Sequence, residues 1–148
     1  MKVILFNPQI PQNTGNIIRT CFLTNTELYL VPPIGFSTSQ KHLKRASLDY
    51  FEDFKIEKIE DLDLFLESQK SFYFFSSKAT KRYDEINYEK ETCLIFGSET
   101  SGLPKTYFEK YTDKFITIPM KKDSRCLNLS NSVSIALYEG LRQMSFNF

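Results

Sequence analysis

The fold of this chain is read most directly from residues 94–104, which are Leu94-Ile95-Phe96-Gly97-Ser98-Glu99-Thr100-Ser101-Gly102-Leu103-Pro104. A short apolar run that ends at a glycine is typical of a buried β-strand entering a loop. Gly97 permits close backbone approach or a positive φ angle. Glu99 could accept hydrogen bonds from ligand hydroxyls or from backbone amides. The alternative is an ordinary loop between a strand and a helix, in which Glu99 caps a helix.

Short apolar runs and helical stretches alternate along the rest of the chain. This alternation predicts an α/β fold with a largely parallel sheet flanked by helices. Ligands of such sheets bind beyond the carboxyl ends of the strands, so we expect the site in the loops after Phe75, Phe96 and Ile118. The predicted strands span residues 3–6, 27–31, 54–56, 72–75, 92–96 and 115–118, and the predicted helices span residues 13–24, 39–48, 59–69, 105–110 and 131–143.

Length and composition are those of an ordinary globular protein. The 148 residues suit one domain, and 41% hydrophobic with 25% charged residues argue against disorder and coiled coil. With 14 phenylalanines in the chain, we expect phenylalanine to fill the core. The three cysteines have no metal-ligand spacing, so neither a disulfide framework nor a metal site is predicted, and a reducing cytoplasm fits. Residues 3–6 are too few for a signal peptide or a membrane span.

The net charge of +1 is unevenly distributed. Residues 1–48 and 114–148 carry net charges of +4 and +3, whereas residues 49–113 carry −6. The whole-chain charge therefore does not by itself indicate a nucleic-acid-binding protein. If the two ends of the chain meet in space, they form a basic face.

Several common functional motifs are missing from the sequence. No Gly-x-Gly-x-x-Gly follows a strand and no Gly-Lys-Ser/Thr closes a phosphate-binding loop, which argues against the two common nucleotide fingerprints. The single histidine, His42, argues against a histidine-based catalytic triad or metal site.

A second informative stretch, residues 7–19, separates the first strand from the first helix. Gln12, Asn13, Asn16 and Arg19 cluster at the start of that helix, where free backbone N–H groups can bind an anion. This pattern indicates phosphate binding. The alternative is capping and turn chemistry, with Asn13 or Thr14 as the N-cap.

A third stretch, residues 123–134, enters the last helix. Leu127 and Leu129 alternate with Asn128 and Ser130, which predicts an extended, half-buried segment followed by a helix capped by Ser130 or Asn131. The polar side chains would then be held on a rigid support, as ligand-binding groups require. The alternative is a capping motif with amides that bridge backbone groups.

Taken together, the three stretches resemble the SpoU/SPOUT family of RNA 2′-O-ribose methyltransferases, and above all its small single-domain group that acts on cytidine or uridine 34 of tRNA. The matching residues are Asn7-Pro8, Ile10-Pro11-Gln12-Asn13-Thr14-Gly15-Asn16-Ile17-Ile18-Arg19, Phe96-Gly97-Ser98-Glu99-Thr100-Ser101-Gly102-Leu103-Pro104, Ile118-Pro119-Met120 and Ser124-Arg125-Cys126-Leu127-Asn128-Leu129-Ser130-Asn131, with further likeness in Lys44-Arg45-Ala46-Ser47-Leu48-Asp49-Tyr50, Tyr138-Glu139 and Arg142-Gln143.

This resemblance implies a fold and a cofactor. The fold would be a single SPOUT methyltransferase domain over residues 1–148, in which a parallel sheet flanked by helices ends in a C-terminal deep trefoil knot. S-adenosyl-L-methionine would bind in the knot, between the loops after the fourth, fifth and sixth strands. The residues expected to hold it are Phe75, Gly97, Glu99, Ile118, Cys126, Leu127 and Ser130.

The resemblance also implies an activity and its partners. The expected enzyme is a cytoplasmic homodimer that methylates the wobble ribose of a tRNA anticodon stem-loop, with each active site built from both chains and without a metal or a membrane. Arg19 would face the neighbouring chain's cofactor, and the family pattern implies that it acts as the base. Because arginine rarely gives up its proton, we expect it instead to bind the phosphate beside the target ribose and to stabilise the forming alkoxide. The expected catalytic residues are Arg19, Ser124 and Arg125, and the expected RNA contacts are Asn13, Lys44, Arg45 and Tyr138.

One departure from the family pattern leaves alternatives open. Cys126 stands where related sequences usually have serine, and a thiol is a weaker hydrogen-bonding group than a hydroxyl. One alternative is a non-catalytic RNA-binding relative. Another is a 2′-O-methyltransferase of ribosomal RNA or of another tRNA position, although such enzymes often carry an extra RNA-binding domain.

Overall fold

The computed structural model describes residues 1–37 and 54–148. The helix predicted over residues 39–48 lies outside the described residues. The same holds for two predicted RNA contacts, Lys44 and Arg45, and for His42.

Six strands and four α-helices alternate along the described residues. Two short 3₁₀ turns, Tyr83–Glu85 and Thr112–Lys114, complete the regular structure there. In chain order the elements are β1 (Lys2–Phe6), α1 (Pro11–Leu23), β2 (Glu27–Val31), β3 (Ile56–Lys58), α2 (Leu62–Glu67), β4 (Phe72–Phe75), β5 (Cys93–Phe96), α3 (Lys105–Lys110), β6 (Phe115–Ile116) and α4 (Leu129–Gln143).

The six strands form one sheet in the order β3-β2-β1-β5-β4-β6. Every pairing is parallel, so all the carboxyl ends point to the same edge. The α/β class and the parallel sheet expected from the alternating pattern are confirmed. From β1 the chain runs to β2 and β3 on one side of the sheet, whereas β5, β4 and β6 lie on the other side. The boundary between β1 and β5 is the kind of position at which open parallel sheets bind their ligands.

Both faces of the sheet are buried, and β5 shows how. Leu94 and Phe96 pack into the cluster under α1 and α4, whereas Cys93 and Ile95 pack into the cluster under α2 and α3. A strand buried on both sides reads as a continuous apolar run, which is why residues 93–96 lack the polar alternation of a surface strand.

Aromatic rings dominate the cluster under α2 and α3. The Phe74 ring is fully buried and stacks on the rings of Phe115 at 4.9 Å and Tyr111 at 5.4 Å between centroids. Phe74 and Phe115 are buried in this cluster, and Phe75 and Phe96 are buried in the cluster on the opposite face, so phenylalanine contributes to the core on both faces of the sheet. On the opposite face, α1 contributes Ile17, Ile18 and Cys21, while α4 contributes Val133, Ala136 and Leu137.

The observed helix starts differ from the predicted ones. The first helix begins at Pro11 with Ile10 as its N-cap, so Asn13 and Thr14 as caps were wrong; proline at the first helical position is pre-organised for a helix and loses no bond there. The last helix begins at Leu129 with Asn128 as its N-cap, two residues earlier than expected.

Candidate functional site

The carboxyl ends of β4, β5 and β6 meet side by side. Phe75 pairs in register with Phe96 on one side and with Ile116 on the other, and the Phe75 and Phe96 rings stack at 4.5 Å between centroids. The loops that follow these strands therefore open at one place on the sheet edge, as predicted. Ile118 lies two residues beyond β6 and is half-buried.

The loop after β5 is closed on itself. The Ser98 amide donates to the Gly102 carbonyl at 3.1 Å, and the Gly102 amide donates back to Ser98 at 2.9 Å. A Cβ atom on Gly97 would lie 2.3 Å from the carbonyl carbon of Gly102, so only glycine fits there. The positive φ angle, 67°, belongs to Gly102.

The carboxylate of Glu99, in this loop, binds the start of α1. It accepts hydrogen bonds from the backbone amides of Gln9 at 2.8 Å and Ile10 at 3.2 Å, and from Nδ2 of Asn13 at 3.0 Å. A helix start leaves amides unpaired and carries a partial positive charge, so an anion is favoured there. Glu99 does cap a helix, but one about 90 residues earlier in the chain.

Asn13 also links Glu99 to the start of the last helix. Its Oδ1 accepts a hydrogen bond from Nδ2 of Asn128 at 2.9 Å. Oδ1 of Asn128 in turn accepts from the amide and hydroxyl of Ser130 at 2.9 and 2.7 Å. We call Glu99, Asn13 and Asn128 the relay. It joins one residue from each of the three stretches identified in the sequence.

Residues 121–127 form the outer side of the site and are all exposed. The Ser124 hydroxyl donates to the Lys121 carbonyl at 2.6 Å, and the Cys126 thiol lies 3.5 Å from the Ser77 hydroxyl in the loop after β4. Arg125 has no hydrogen-bond or ion-pair partner among residues 1–37 and 54–148. Leu127 is 38% exposed.

Arg19 lies on the outer surface of α1 and is exposed. Within the described part of the chain no group pairs with its guanidinium. Tyr138, on α4, is 47% exposed.

The structure thus brings together some of the predicted site residues and leaves others apart. Phe75, Gly97, Glu99 and Ser130 lie at the carboxyl edge with Asn13, whereas Arg19 and Tyr138 lie on outer helix surfaces. Asn13, a predicted RNA contact, is 5% exposed and both ends of its amide bond within the protein. The roles of all these residues remain predictions.

Asn128 is the relay residue that the sequence did not single out as a site residue. The signal for it was present, because an asparagine two residues before Ser130 suits an N-cap whose side chain accepts from the second and third helical amides. The amide partners of Glu99 carry no comparable signal, since they are backbone groups from a distant stretch.

Two of the three cysteines are buried. Burial raises the pKa of the Cys93 thiol to about 11 and raises the pKa of the Cys21 thiol as well, whereas Cys126 is exposed. No group of three or more His, Cys, Asp or Glu side chains in residues 1–37 and 54–148 is placed to hold a metal ion. Over the same ranges, no helix combines the length and apolar character needed to cross a membrane.

Known proteins resemble this chain in sequence over almost its whole length. A Geobacillus stearothermophilus protein is 47% identical over 152 residues, which cover 99% of this chain and 97% of its own. A Yersinia pestis protein named tRNA (cytidine(34)-2'-O)-methyltransferase is 40% identical over 154 residues, 99% of this chain and 95% of its own.

Solved structures of methyltransferases are also similar to this chain. One that concerns the 2-OH methylation of C/U34 on tRNA superposes with a TM-score of 0.89 at 33% identity, covering 97% of this chain and 95% of the other. The SpoU methyltransferase AviRb from Streptomyces viridochromogenes, in complex with AdoMet, shares the fold with a TM-score of 0.85 at 19% identity, covering 98% of this chain and 58% of AviRb. The model of the SpoU rRNA methylase family matches residues 1–138, and the chain belongs to that family.

Proposed function

We propose that this protein transfers the methyl group of S-adenosyl-L-methionine to the ribose 2′-hydroxyl of the wobble nucleotide, cytidine or uridine 34, in the anticodon stem-loop of tRNA. The observation that carries the proposal is the relay, which fixes the three family motifs around one sheet edge. Relatives that match nearly the whole chain bear the name of this activity.

The carboxyl edge suits the cofactor. Adenosine needs an apolar surface and nearby backbone groups. The edge offers the half-buried side chain of Ile118 and the backbone of the loop at Gly97, supported by the stacked and buried rings of Phe75 and Phe96. When bound, the cofactor supplies a sulfonium methyl group that is already activated for transfer. The residues that would hold it are Phe75, Gly97, Ile118, Cys126, Leu127 and Ser130, with Glu99 supporting the loop from behind through its bonds to α1.

The chain's own residues then have to align the ribose and stabilise charge. Alignment of two reactants alone lowers a barrier by roughly 7–11 kcal/mol. The exposed guanidinium of Arg19 binds the phosphate beside the target ribose and stabilises the alkoxide that forms at the 2′-oxygen. Ser124 and Arg125 contact the same phosphate and ribose. Asn13 orients the start of α1 toward the RNA. Further RNA contacts are made by Tyr138, Lys44 and Arg45.

The active form is a homodimer with composite sites. Arg19 points away from its own core with no described partner, and exposed apolar side chains share the surfaces of α1 and α4: Leu23 is 54% exposed, Ile135 37% and Tyr138 47%. Pairing of these helices with a second copy covers the apolar surface and carries Arg19 to the other chain's cofactor. Sedimentation at micromolar concentration tests this, and a monomer would refute it.

The C-terminal part of the chain forms a deep trefoil knot. Supporting contacts tie residues 76–92 across the chain that follows β6. The Thr117 amide donates to the Lys81 carbonyl at 2.8 Å, and the Tyr83 amide donates to Thr117 at 2.9 Å. Further along, Nε2 of Gln143 donates to the Ile86 carbonyl at 2.9 Å. Residues 1–148 act as one domain, in the cytoplasm where tRNA is modified.

Mapping of 2′-O-methyl groups in tRNA tests the function. Cells that lack this protein should lose the methyl group at nucleotide 34 of a subset of tRNAs and regain it when the gene is restored. Loss at another tRNA position or in ribosomal RNA instead would identify a different substrate. If the purified protein binds no S-adenosyl-L-methionine by calorimetry, it is a non-catalytic RNA-binding relative.

A further inference from the structure

A cleft of about 450 Å³ opens beside residues 78–81, the segment that follows β4. None of its lining residues belongs to the candidate site described above. Its volume lies in the range of roughly 300–1,000 Å³ that is usual for ligand sites. The lining residues that matter for its chemistry are Lys78, Thr80, Lys81, Phe108, Asp113 and Phe115.

The two lysines of this cleft are uncompensated cations. Both are exposed, and neither forms an ion pair or side-chain hydrogen bond with the residues that the structure describes. Nearby cations differ in this respect, because Arg82 is paired with Asp84 and Lys110 with Asp63. With Asp113 as the single acid in the lining, the cleft carries a net positive charge.

The backbone beneath the lysines is held in place. The Ser76 amide donates to the Ile116 carbonyl at 3.0 Å and the Ala79 amide to the Ser76 carbonyl at 3.2 Å. The Lys81 carbonyl accepts from the Thr117 amide at 2.8 Å. A fixed backbone lowers the entropy that is lost when the two lysine side chains bind one anion.

The other lining residues lie between positions 108 and 115 and combine two aromatic rings with the polar side chains of Thr112 and Asp113. Phe108 is half-buried and its ring lies 4.6 Å from the ring of buried Phe115, between centroids. Lysines beside an aromatic wall, with the Thr80 hydroxyl between them, match a nucleotide, which presents phosphate charge and a flat base together.

We infer that this cleft binds one nucleotide of the RNA substrate next to the methylated one, with its phosphates on Lys78 and Lys81. The inference rests on the proposed function, because it takes the substrate to be RNA. Ser77, which directly precedes Lys78, lies 3.5 Å from the Cys126 thiol. The segment that lines the cleft thus begins one residue from a contact with the proposed cofactor site, as a nucleotide adjacent to the target requires.

The test compares two double variants of equal charge. Lys78→Ala/Lys81→Ala removes the cleft cations, and Lys70→Ala/Lys90→Ala removes two exposed lysines that precede β4 and β5, at the opposite edge of the sheet. Binding of an anticodon stem-loop RNA probe is followed by fluorescence anisotropy between about 50 and 200 mM salt. Thermal melting checks that both variants fold.

The cleft variant should lose roughly 10-fold in RNA affinity, and its slope of log affinity against log salt should flatten by about 1.4, or about 0.7 for each lost single-strand phosphate contact. Cofactor binding by calorimetry should not change. Equal slopes and affinities in the two variants would overturn the inference, and so would loss of cofactor binding in the cleft variant.

Methyl transfer by the unaltered protein separates this inference from the proposed function. If the protein transfers no methyl group to tRNA but the slopes differ, the proposed function fails and the cleft stands as an RNA site. If transfer occurs and the slopes agree, the cleft fails alone. If the unaltered protein binds no RNA probe at all, both are wrong.

Discussion

The two sides of the candidate site are built in opposite ways. On the inner side, Glu99 accepts three hydrogen bonds from protein groups, and Asn13 and Asn128 each form bonds through both the oxygen and the nitrogen of their side-chain amides. On the outer side, residues 121–127 and Arg19 are exposed and make few bonds within the described chain. The hydrogen bonds of the inner side form within the protein without a ligand, whereas the polar groups of the outer side can still bind one.

This difference separates two functions that share one site. A group that is fully bonded inside the protein sets geometry, and its loss costs stability. An exposed group without partners contributes little to stability, and its loss lowers the affinity for a ligand that it contacts. Substitutions on the two sides should therefore affect different measurements.

The largest effect is expected on the outer side, at Arg19. Arg19→Ala should lower methyl transfer to tRNA by at least about 100-fold, because it removes a positive charge placed against the forming alkoxide. The free energy of unfolding should change by less than about 0.5 kcal/mol, since the side chain is exposed. Initial rates with radiolabelled cofactor and urea denaturation measure the two quantities.

Lys58→Ala is the control for this substitution, because it removes an exposed cation from β3, at the far end of the sheet from β6. It should keep normal turnover. Normal turnover in Arg19→Ala itself would contradict a central role for this residue.

The next effect sharpens the comparison within a single loop. Gly97→Ala places a Cβ against the backbone of Gly102 and Leu103, so the loop must open. We expect the unfolding free energy to fall by about 1–3 kcal/mol. We also expect the cofactor to bind roughly 10-fold more weakly. Gly102→Ala meets no atom within 4 Å and should cost only about 1–2 kcal/mol for its left-handed backbone, with cofactor binding kept. Calorimetry distinguishes them, and equal cofactor affinities would show that close approach at Gly97 does not matter.

On the inner side, Glu99→Gln should act on stability first. The amide of glutamine keeps one acceptor oxygen, which can serve Ile10 and Asn13, but it turns an NH₂ group toward the amide of Gln9. We therefore expect a loss of about 1–3 kcal/mol in unfolding free energy. Glu109→Gln, at an exposed position on α3, is the matched control and should change stability by less than about 0.5 kcal/mol. A Glu99→Gln protein as stable as the control would mean that the relay does not hold the site together.

The smallest effect concerns the thiols. A maleimide should modify Cys126 alone in the folded protein, because Cys21 and Cys93 are buried with raised pKa values and hence little thiolate. Saturating S-adenosyl-L-methionine should slow the modification several-fold. Cys126→Ser should abolish labelling and keep turnover within a few-fold. Labelling at the same rate with and without cofactor would place Cys126 outside the cofactor site.

Local pattern was enough to predict most of the framework. The bounds of β2, β4 and α3 agree with the predicted ranges 27–31, 72–75 and 105–110, because buried strands and a helix after proline leave strong local signals. The sixth strand is shorter than predicted, ending at Ile116, since Thr117 pairs with residues 81–83 and not with the sheet.

What local pattern could not predict is the partnership between distant stretches. Glu99 was predicted either to bind a ligand or to cap a helix. The residues near it in the sequence do not indicate that the capped helix is α1. Asn13 and Asn128 are 115 residues apart, and their bond exists only once the sheet is formed. Asn13 was misassigned as a cap for the same reason, because its side-chain amide bonds to Glu99 and Asn128.

The central claim is that this sheet edge delivers a methyl group to the ribose of nucleotide 34. Two synthetic anticodon stem-loops test it directly, one with a 2′-deoxyribose at position 34 and one with the deoxyribose at position 33. The account predicts that labelled methyl from S-adenosyl-L-methionine enters the second RNA and not the first. Equal labelling of both RNAs would contradict it.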